Sequence, residues 1–383
     1  ERGDTYVILL PDFDTTEQFD SMRHILTQHL DILDSDTVQG RDGKYAYRFH
    51  SGVQVTPEQV RHLTSCEAAM VMAAVLPVLT NRNKKPQRFD SVTKWRQIAQ
   101  EENKSLYEVA LEYEEYASGW SREEVVRYMK EHVETYMQKR IFTLYEDESR
   151  LVINPFRTIY YKEWQKQSEK DGLTGSVIQK AIHYMHSAQA QMDQVLDVPG
   201  PMSNGGGYLY SVLTAVKEEC HLSEEDVTRG LFIAAAIGAT AYTRTNPTGE
   251  VIGCAGECGV CAAMTAAAVA EMFHATPEQV ENAASMTLQS SIGWPCDPVP
   301  GGQGTPCTSR TLFIVTMSVV YASWAMMGSE LIIPFHEVLD TADKVGRQLS
   351  GDLLCTGRGG LCATNAGRSC KETFCSTREC RTT

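Results

Sequence analysis

The chain has 383 residues, 42% of them hydrophobic, and its 49 acidic against 35 basic side chains give a formal net charge of -14. That length supports one large domain or two with a sizeable core, and an acidic balance without a basic, aromatic-interleaved stripe argues against nucleic acid as a partner. No apolar run reaches the roughly 18 to 20 residues that cross a bilayer, and the opening "ERGDTYVILLPDFD" lacks the charged-then-apolar order of a signal peptide, so a cytoplasmic protein away from membranes is expected.

In chain order, "TYVILL" reads as a strand, "TTEQFDSMRHILTQHL" as an amphipathic helix, "KYAYRFHS" as a strand with alternating faces and "TPEQVRHLTSCEAAMVMAAVLPVL" as a helix. The polar stretch "TNRNKKPQ" is the candidate linker. Residues 1–85 are therefore expected to form a small α/β domain and residues 86–383 an all-helical domain, a mainly α protein.

Within the second part, "SVTKWRQIAQEENKSLYEVALEYEEYA" carries amphipathic turns. Ser121 opens the next helix with a Ser-x-x-Glu capping box, Ser223 with Asp226 opens another, and Thr276 with Pro277 and Gln279 a third. The Ala-rich runs "LFIAAAIGATA" and "CAAMTAAAVAEMF" present small residues on several faces, so their helices can approach closely at the centre of a bundle. No internal repeat or low-complexity tract is evident.

Twelve cysteines are too sparse for a small disulphide scaffold and, in a reducing compartment, read as metal ligands or buried apolar residues. "GCAGECGVC" places Cys254, Cys258 and Cys261 close together. A triplet of this kind holds the cluster of radical enzymes when it lies on an early loop of a β/α barrel, but helix follows it here. "GWPCDPVPGGQGTPC" offers Cys296 and Cys307 on a Gly- and Pro-rich loop that can bend two thiolates toward one centre.

At these residues the sequence resembles the iron-sulphur-dependent L-serine dehydratases, specifically their α subunit. "GCAGECG" matches the family's Gly-Cys-x-x-Glu-x-Gly, and "CDPV" followed by "TPC" matches its Cys-Asp-Pro-Val loop ending in Pro-Cys. "RFDSVTKWRQIAQEENKSLYEVALEYEEYASGWSREEV", "DGLTG", "TPEQVENAA" and "GRGGLCATNAG" extend the likeness over about residues 88–370 in the same order. The resemblance implies a [4Fe-4S] cluster held by Cys254, Cys296 and Cys307, with Cys258 and Cys261 outside the ligand set. Three thiolates leave one iron open as a Lewis acid for the carboxylate and β-hydroxyl of a small amino acid. Elimination then gives an enamine that hydrolyses to a 2-oxo acid and ammonia.

Glu257 and Asp297 are the candidate catalytic residues: Glu257 as base, ammonium partner or backbone acceptor, Asp297 as a catalytic group or equally as the group that fixes the loop. "SNGGGY" precedes a helix rather than following a strand, so Ser203, Asn204, Gly205 and Gly206 are candidates to receive the substrate carboxylate through backbone N–H groups, with Thr174 a further contact.

The sequence departs from the family in places. It has no Ser-Ser-Ser-His-Thr stretch, "PMSNGGG" replaces Pro-Thr-Ala-Gly-Ser-Ala-Gly, and "LCTGR" places Cys355 near a Glu position. A partner β-type chain or a homodimer, a cysteine-desulphidase type of elimination, and a non-catalytic or sensor subunit all stay open. Cys370, Cys375 and Cys380 in the polar tail are candidates to cap the open iron.

Overall fold

The computed structural model describes residues 5–9, 16–39, 45–51, 55, 57–64, 69–73, 88–134, 137–138, 166, 173–192, 205–299, 305–330 and 332–370. It is mostly helical. Near the N-terminus, β1 (Thr5–Leu9), α1 (Thr16–His29), β2 (Ile32–Gln39), β3 (Tyr45–Ser51), α2 (Pro57–Thr64) and β4 (Ala69–Ala73) form an antiparallel sheet with strand order β2-β3-β1-β4. Val7 is the centre of the register, opposite Phe49 on one side and Val71 on the other. The single helix expected from Thr56 onward is thus divided: Pro57–Thr64 is helical, while "AMVMA" pairs with β1. A short apolar run fits either state, and an available strand edge decides it. Phe19, Met22, Leu26, Tyr47, Phe49, Val55 and Val60 make a small apolar cluster separate from the main core. The linker candidate lies outside the described residues.

The main core is a bundle built from α3 (Val92–Glu101), α4 (Leu106–Ser118), α5 (Arg122–Tyr128), α6 (Ser176–Met192), α7 (Gly205–Cys220), α8 (Glu224–Arg244), α9 (Val260–Met272), α10 (Pro277–Gln289), α11 (Cys307–Met326) and α12 (Phe335–Gly346). The capping boxes at Ser121, Ser223 and Thr276 form as expected: in each, the hydroxyl accepts the N3 amide and the N3 side chain accepts the N-cap amide.

Every residue of α9 is buried, as its all-round apolar sequence requires. It runs through the centre and packs on α7, α8, α10 and α11, with the Ala-rich faces of α8 and α9 in contact. On the outside of this core, Trp95 is fully buried and its Nε1–H donates to Leu106 O at 3.0 Å, so the ring packs without an orphaned donor.

Two polar ties fix the helices around the site. Glu281 of α10 is fully buried, binds Arg96 of α3 at 2.7 Å and accepts the Phe335 amide at the start of α12 at 3.2 Å. Arg244 closes α8 with a bidentate pair to Asp340 of α12, at 3.0 and 2.6 Å, and Thr245 donates to Asp343 at 2.6 Å. The chain therefore leaves α8 in a fixed direction, toward Cys254.

Candidate active site

After α8 the chain makes a one-turn helix, Gly249–Ile252, and a π-helical turn, Ala255–Gly259, before entering α9. Cys254 sits between them. Gly253 before it has φ 73° and ψ -170°, a combination essentially confined to glycine. A Cβ there would lie 2.2 Å from the Trp294 carbonyl, the same carbonyl that accepts the Cys254 amide at 2.9 Å. The glycine thus allows the two backbones to touch, which brings the Cys254 segment against the loop carrying Cys296.

That loop is sewn in from its other side. Cys296 N donates to Leu353 O at 2.8 Å and Cys355 N to Cys296 O at 2.6 Å, a short parallel bridge around Leu354. Trp294 meets the Phe313 ring edge-on at 4.7 Å, docking the loop on α11. Cys307 is the first residue of α11, after a cis Thr305–Pro306 bond. Cys254 is the N-cap of the π turn that leads into α9 and Cys307 opens α11, so both stand at helix starts, where dipoles favour negative charge.

The sulphurs form one electrostatic group. Cys254 and Cys258 share a hydrogen bond at 3.2 Å. The bond with Cys258, and behind it the Arg310 guanidinium, holds the Cys254 thiol below its usual range against the opposing effect of burial. Cys258 is pushed up in return, first by that bond and then by burial. Cys296 is pushed well up by its side-chain bond with Cys355 and by burial, and feels the charges of Glu257 and Cys254. Burial lifts Cys307, which also senses Cys254, Glu257 and Cys355. Cys261 faces elsewhere: burial takes it to about 12, and its sulphur bonds to the Leu209 backbone in the early turns of α7.

Glu257 lies in the π turn, half-buried among these thiols. A Cβ on Gly249 would stand 2.7 Å from Cys296 Sγ and 3.3 Å from Glu257 Oε2, so the absence of a side chain there is what lets sulphur and carboxylate come together. Asp297 is 3% exposed and fully used: Oδ1 accepts from Arg310 Nη2 at 2.7 Å and Oδ2 from the Leu361 amide at 2.8 Å. The Cys362 thiol donates to the backbone carbonyls of Asp297 and Pro298.

Of the other residues singled out in the sequence, Thr174 lies in an exposed turn before α6, and Gly205 and Gly206 open α7. Both helices pack on α11. Ser203, Asn204, Cys375 and Cys380 lie outside the described residues, and Cys370 is the last residue described. The sequence reading passed over Arg310 and Gly249. Arg310 carried a signal, since three residues after Cys307 at a helix start is the same face. Gly249 carried none, because its role depends on a sulphur 47 positions away, at Cys296.

The donor set fits an iron-sulphur cluster. Cys254, Cys296 and Cys307 come from three segments to one polarised, mostly buried locus with a guanidinium beside it, and Gly249 leaves the space a side chain would fill. Among the described residues no three His, Cys, Asp or Glu side chains converge at single-ion spacing. Thiolates that each bind a different iron of a cluster need not converge on one point. Among the described residues no helix is long and apolar enough to cross a membrane.

These features define a helical protein with a cysteine-built candidate metal-cluster site. The family model described as "Serine dehydratase alpha chain" matches residues 101–362. The chain is 36% identical over 168 residues to the "Probable L-serine dehydratase, alpha chain" of Bacillus subtilis, covering 44% of this chain and 56% of that one. It is 31% identical over 205 residues to the "L-serine dehydratase, alpha chain" of Peptoniphilus asaccharolyticus, 53% of this chain and 70% of that one. Against "L-serine dehydratase 2" of Escherichia coli it is 31% identical over 166 residues, 43% of this chain and 36% of that protein. The chain spans from about a third to about two thirds of the length of these relatives. It belongs to the serine dehydratase alpha chain family.

Proposed function

We propose that the protein is an ammonia-lyase that eliminates the β-substituent of L-serine or a related small amino acid, using a [4Fe-4S] cluster held by Cys254, Cys296 and Cys307. The observation that carries this reading is the meeting of those cysteines with Glu257 from segments separated by up to 53 positions in the chain. When bound, the cluster would supply a Lewis-acidic iron for the leaving hydroxyl.

The chain's own residues do the rest. Glu257 carries the carboxylate beside Cys296 that can take the proton from Cα or hold the substrate ammonium. Asp297, both oxygens committed, holds its loop in place rather than moving a proton. The N-terminus of α7, with Ser203, Asn204, Gly205 and Gly206, is the proposed carboxylate receiver, and Thr174 a further contact. The bond from the Leu209 backbone to the Cys261 sulphur keeps the early turns of α7 beside the start of α9, which supports that placement.

We place the division between a small α/β domain and the catalytic domain at residues 85 and 86, supported by the two separate apolar clusters. A β-type partner chain or a second copy would supply the substrate contacts missing from this sequence, and the setting is cytoplasmic. Anaerobic reconstitution, iron and sulphide analysis, and assays of ammonia release from serine, threonine and cysteine test the reading. Release from serine supports it, release from cysteine alone moves it to desulphidation, and none from any substrate with an intact cluster and both chains present overturns catalysis.

A further inference from the structure

Arg310 occupies a position that its ion pair alone does not explain. It stands in the first turn of α11, three residues after Cys307, with its side chain 15% exposed. One end of the guanidinium donates to Asp297 Oδ1 at 2.7 Å, and Asp297 is anchored in turn by the Leu361 amide. The positive charge of the guanidinium also reaches the Cys254 thiol and favours its ionised form. One cation therefore ties the start of α11 to the Cys296 loop and, through Asp297, to the segment around Leu361. Two of these three segments carry a proposed ligand, Cys307 and Cys296.

A guanidinium suits this place chemically. Its five N–H donors lie in a rigid plane, it keeps its charge at any working pH, and it is weakly enough hydrated to be held where water is scarce. An ammonium would be a compact point donor without the planar fork that fixes the side chain against the carboxylate. The thiol groups that feel the charge of Arg310 include Cys254, Cys258, Cys307 and Cys362, and Asp297 is the carboxylate that holds it.

We propose that Arg310 is a positioning residue for the cluster, its ion pair with Asp297 fixing the Cys296 loop against the start of α11 that carries Cys307. This inference rests on Cys296 and Cys307 being ligands. It deepens that reading by naming what sets both the placement of those two sulphurs and the positive charge the cluster feels. A cation beside the cluster favours the state with one more electron. Removing it therefore makes reduction harder.

The test uses the full chain, reconstituted anaerobically as wild type, Arg310→Met, Arg310→Lys and Asp297→Asn. Iron, sulphide and thermal unfolding are measured, together with the one-electron reduction potential by spectroelectrochemical titration. Arg310→Met is expected to hold its cluster while the reduced-to-oxidised ratio at a fixed potential drops about tenfold, a shift of about 59 mV to the negative side. Arg310→Lys, which keeps the charge but loses the planar fork, should fall between it and wild type, whereas Asp297→Asn removes an anion and should not make reduction harder. An unchanged potential in a cluster-loaded Arg310→Met overturns the proposal. So does an unchanged potential in Arg310→Lys, should the Met variant fail to fold or load. A wild-type chain that takes up no iron and sulphide overturns the functional reading beneath it, and the two failures are thereby told apart.

Discussion

Cys254 and Cys258 lie four residues apart across a π-helical turn with their sulphurs 3.2 Å apart, and only one of them is held below the usual thiol range. The geometry makes them unequal partners. The charge of Arg310 favours the thiolate of Cys254, while Cys258 stands next to Glu257 and is pushed upward. Cys258→Ala should therefore keep the visible charge-transfer absorption of the reconstituted protein, and Cys296→Ala should abolish it. Absorption spectra of the two variants, with iron content, decide this, and the reverse pattern would move the ligand set onto the Cys254–Cys258–Cys261 triplet.

Glu257 is assigned the proton at Cα or the substrate ammonium, and a role of either kind spares cluster assembly. Glu257→Gln should retain wild-type iron and sulphide and lose about 10² to 10⁴ in the rate of ammonia release. A variant within about threefold of wild type would return Glu257 to a structural part.

Gly253 holds a backbone conformation that costs about 1 to 3 kcal/mol in any other residue, before the contact with the Trp294 carbonyl is counted. Gly253→Ala should lower the unfolding midpoint and cut iron uptake, since it parts the Cys254 turn from the Cys296 loop. Wild-type iron uptake in this variant would show that the two backbones need not touch.

Glu114 offers a stability test remote from the cysteines. It is fully buried in α4, one carboxyl oxygen lacks a hydrogen-bond partner among the described residues, and burial pushes it up to about 8. The folded state thus prefers the neutral acid, while the unfolded chain ionises near the ordinary value of 4.5. Its contribution to stability is complete below that ordinary value and is lost as pH rises toward 8, a span worth on the order of 5 kcal/mol. Glu114→Gln should flatten this part of the profile and be the more stable form at pH 8, as read from denaturant unfolding across pH. Parallel profiles for the two proteins would contradict it.

The parts legible in the sequence were those governed by neighbours in the chain. Ser121, Ser223 and Thr276 announce their helices because a cap needs only the next three residues. The Ala-rich stretches of α8 and α9 show that they must lie deep, since small residues on all faces leave nothing to expose. The strand β4 was misread as helix because its five apolar residues suit either state until β1 offers an edge. Cys254, Cys296 and Cys307 were found through a motif resemblance, whereas Gly249, Arg310 and the bond from Cys355 to Cys296 depend on contacts between distant segments that no local pattern encodes.

The central claim is a cluster gripped by three cysteines with one iron left for substrate. Mössbauer spectroscopy of the anaerobically reconstituted full chain, with iron and sulphide analysis, tests it most directly. The account predicts about four iron and four sulphide per chain, with one iron whose signal moves when serine is added and three that stay. Absence of inorganic sulphide, or a spectrum in which no iron responds to any substrate, would contradict it.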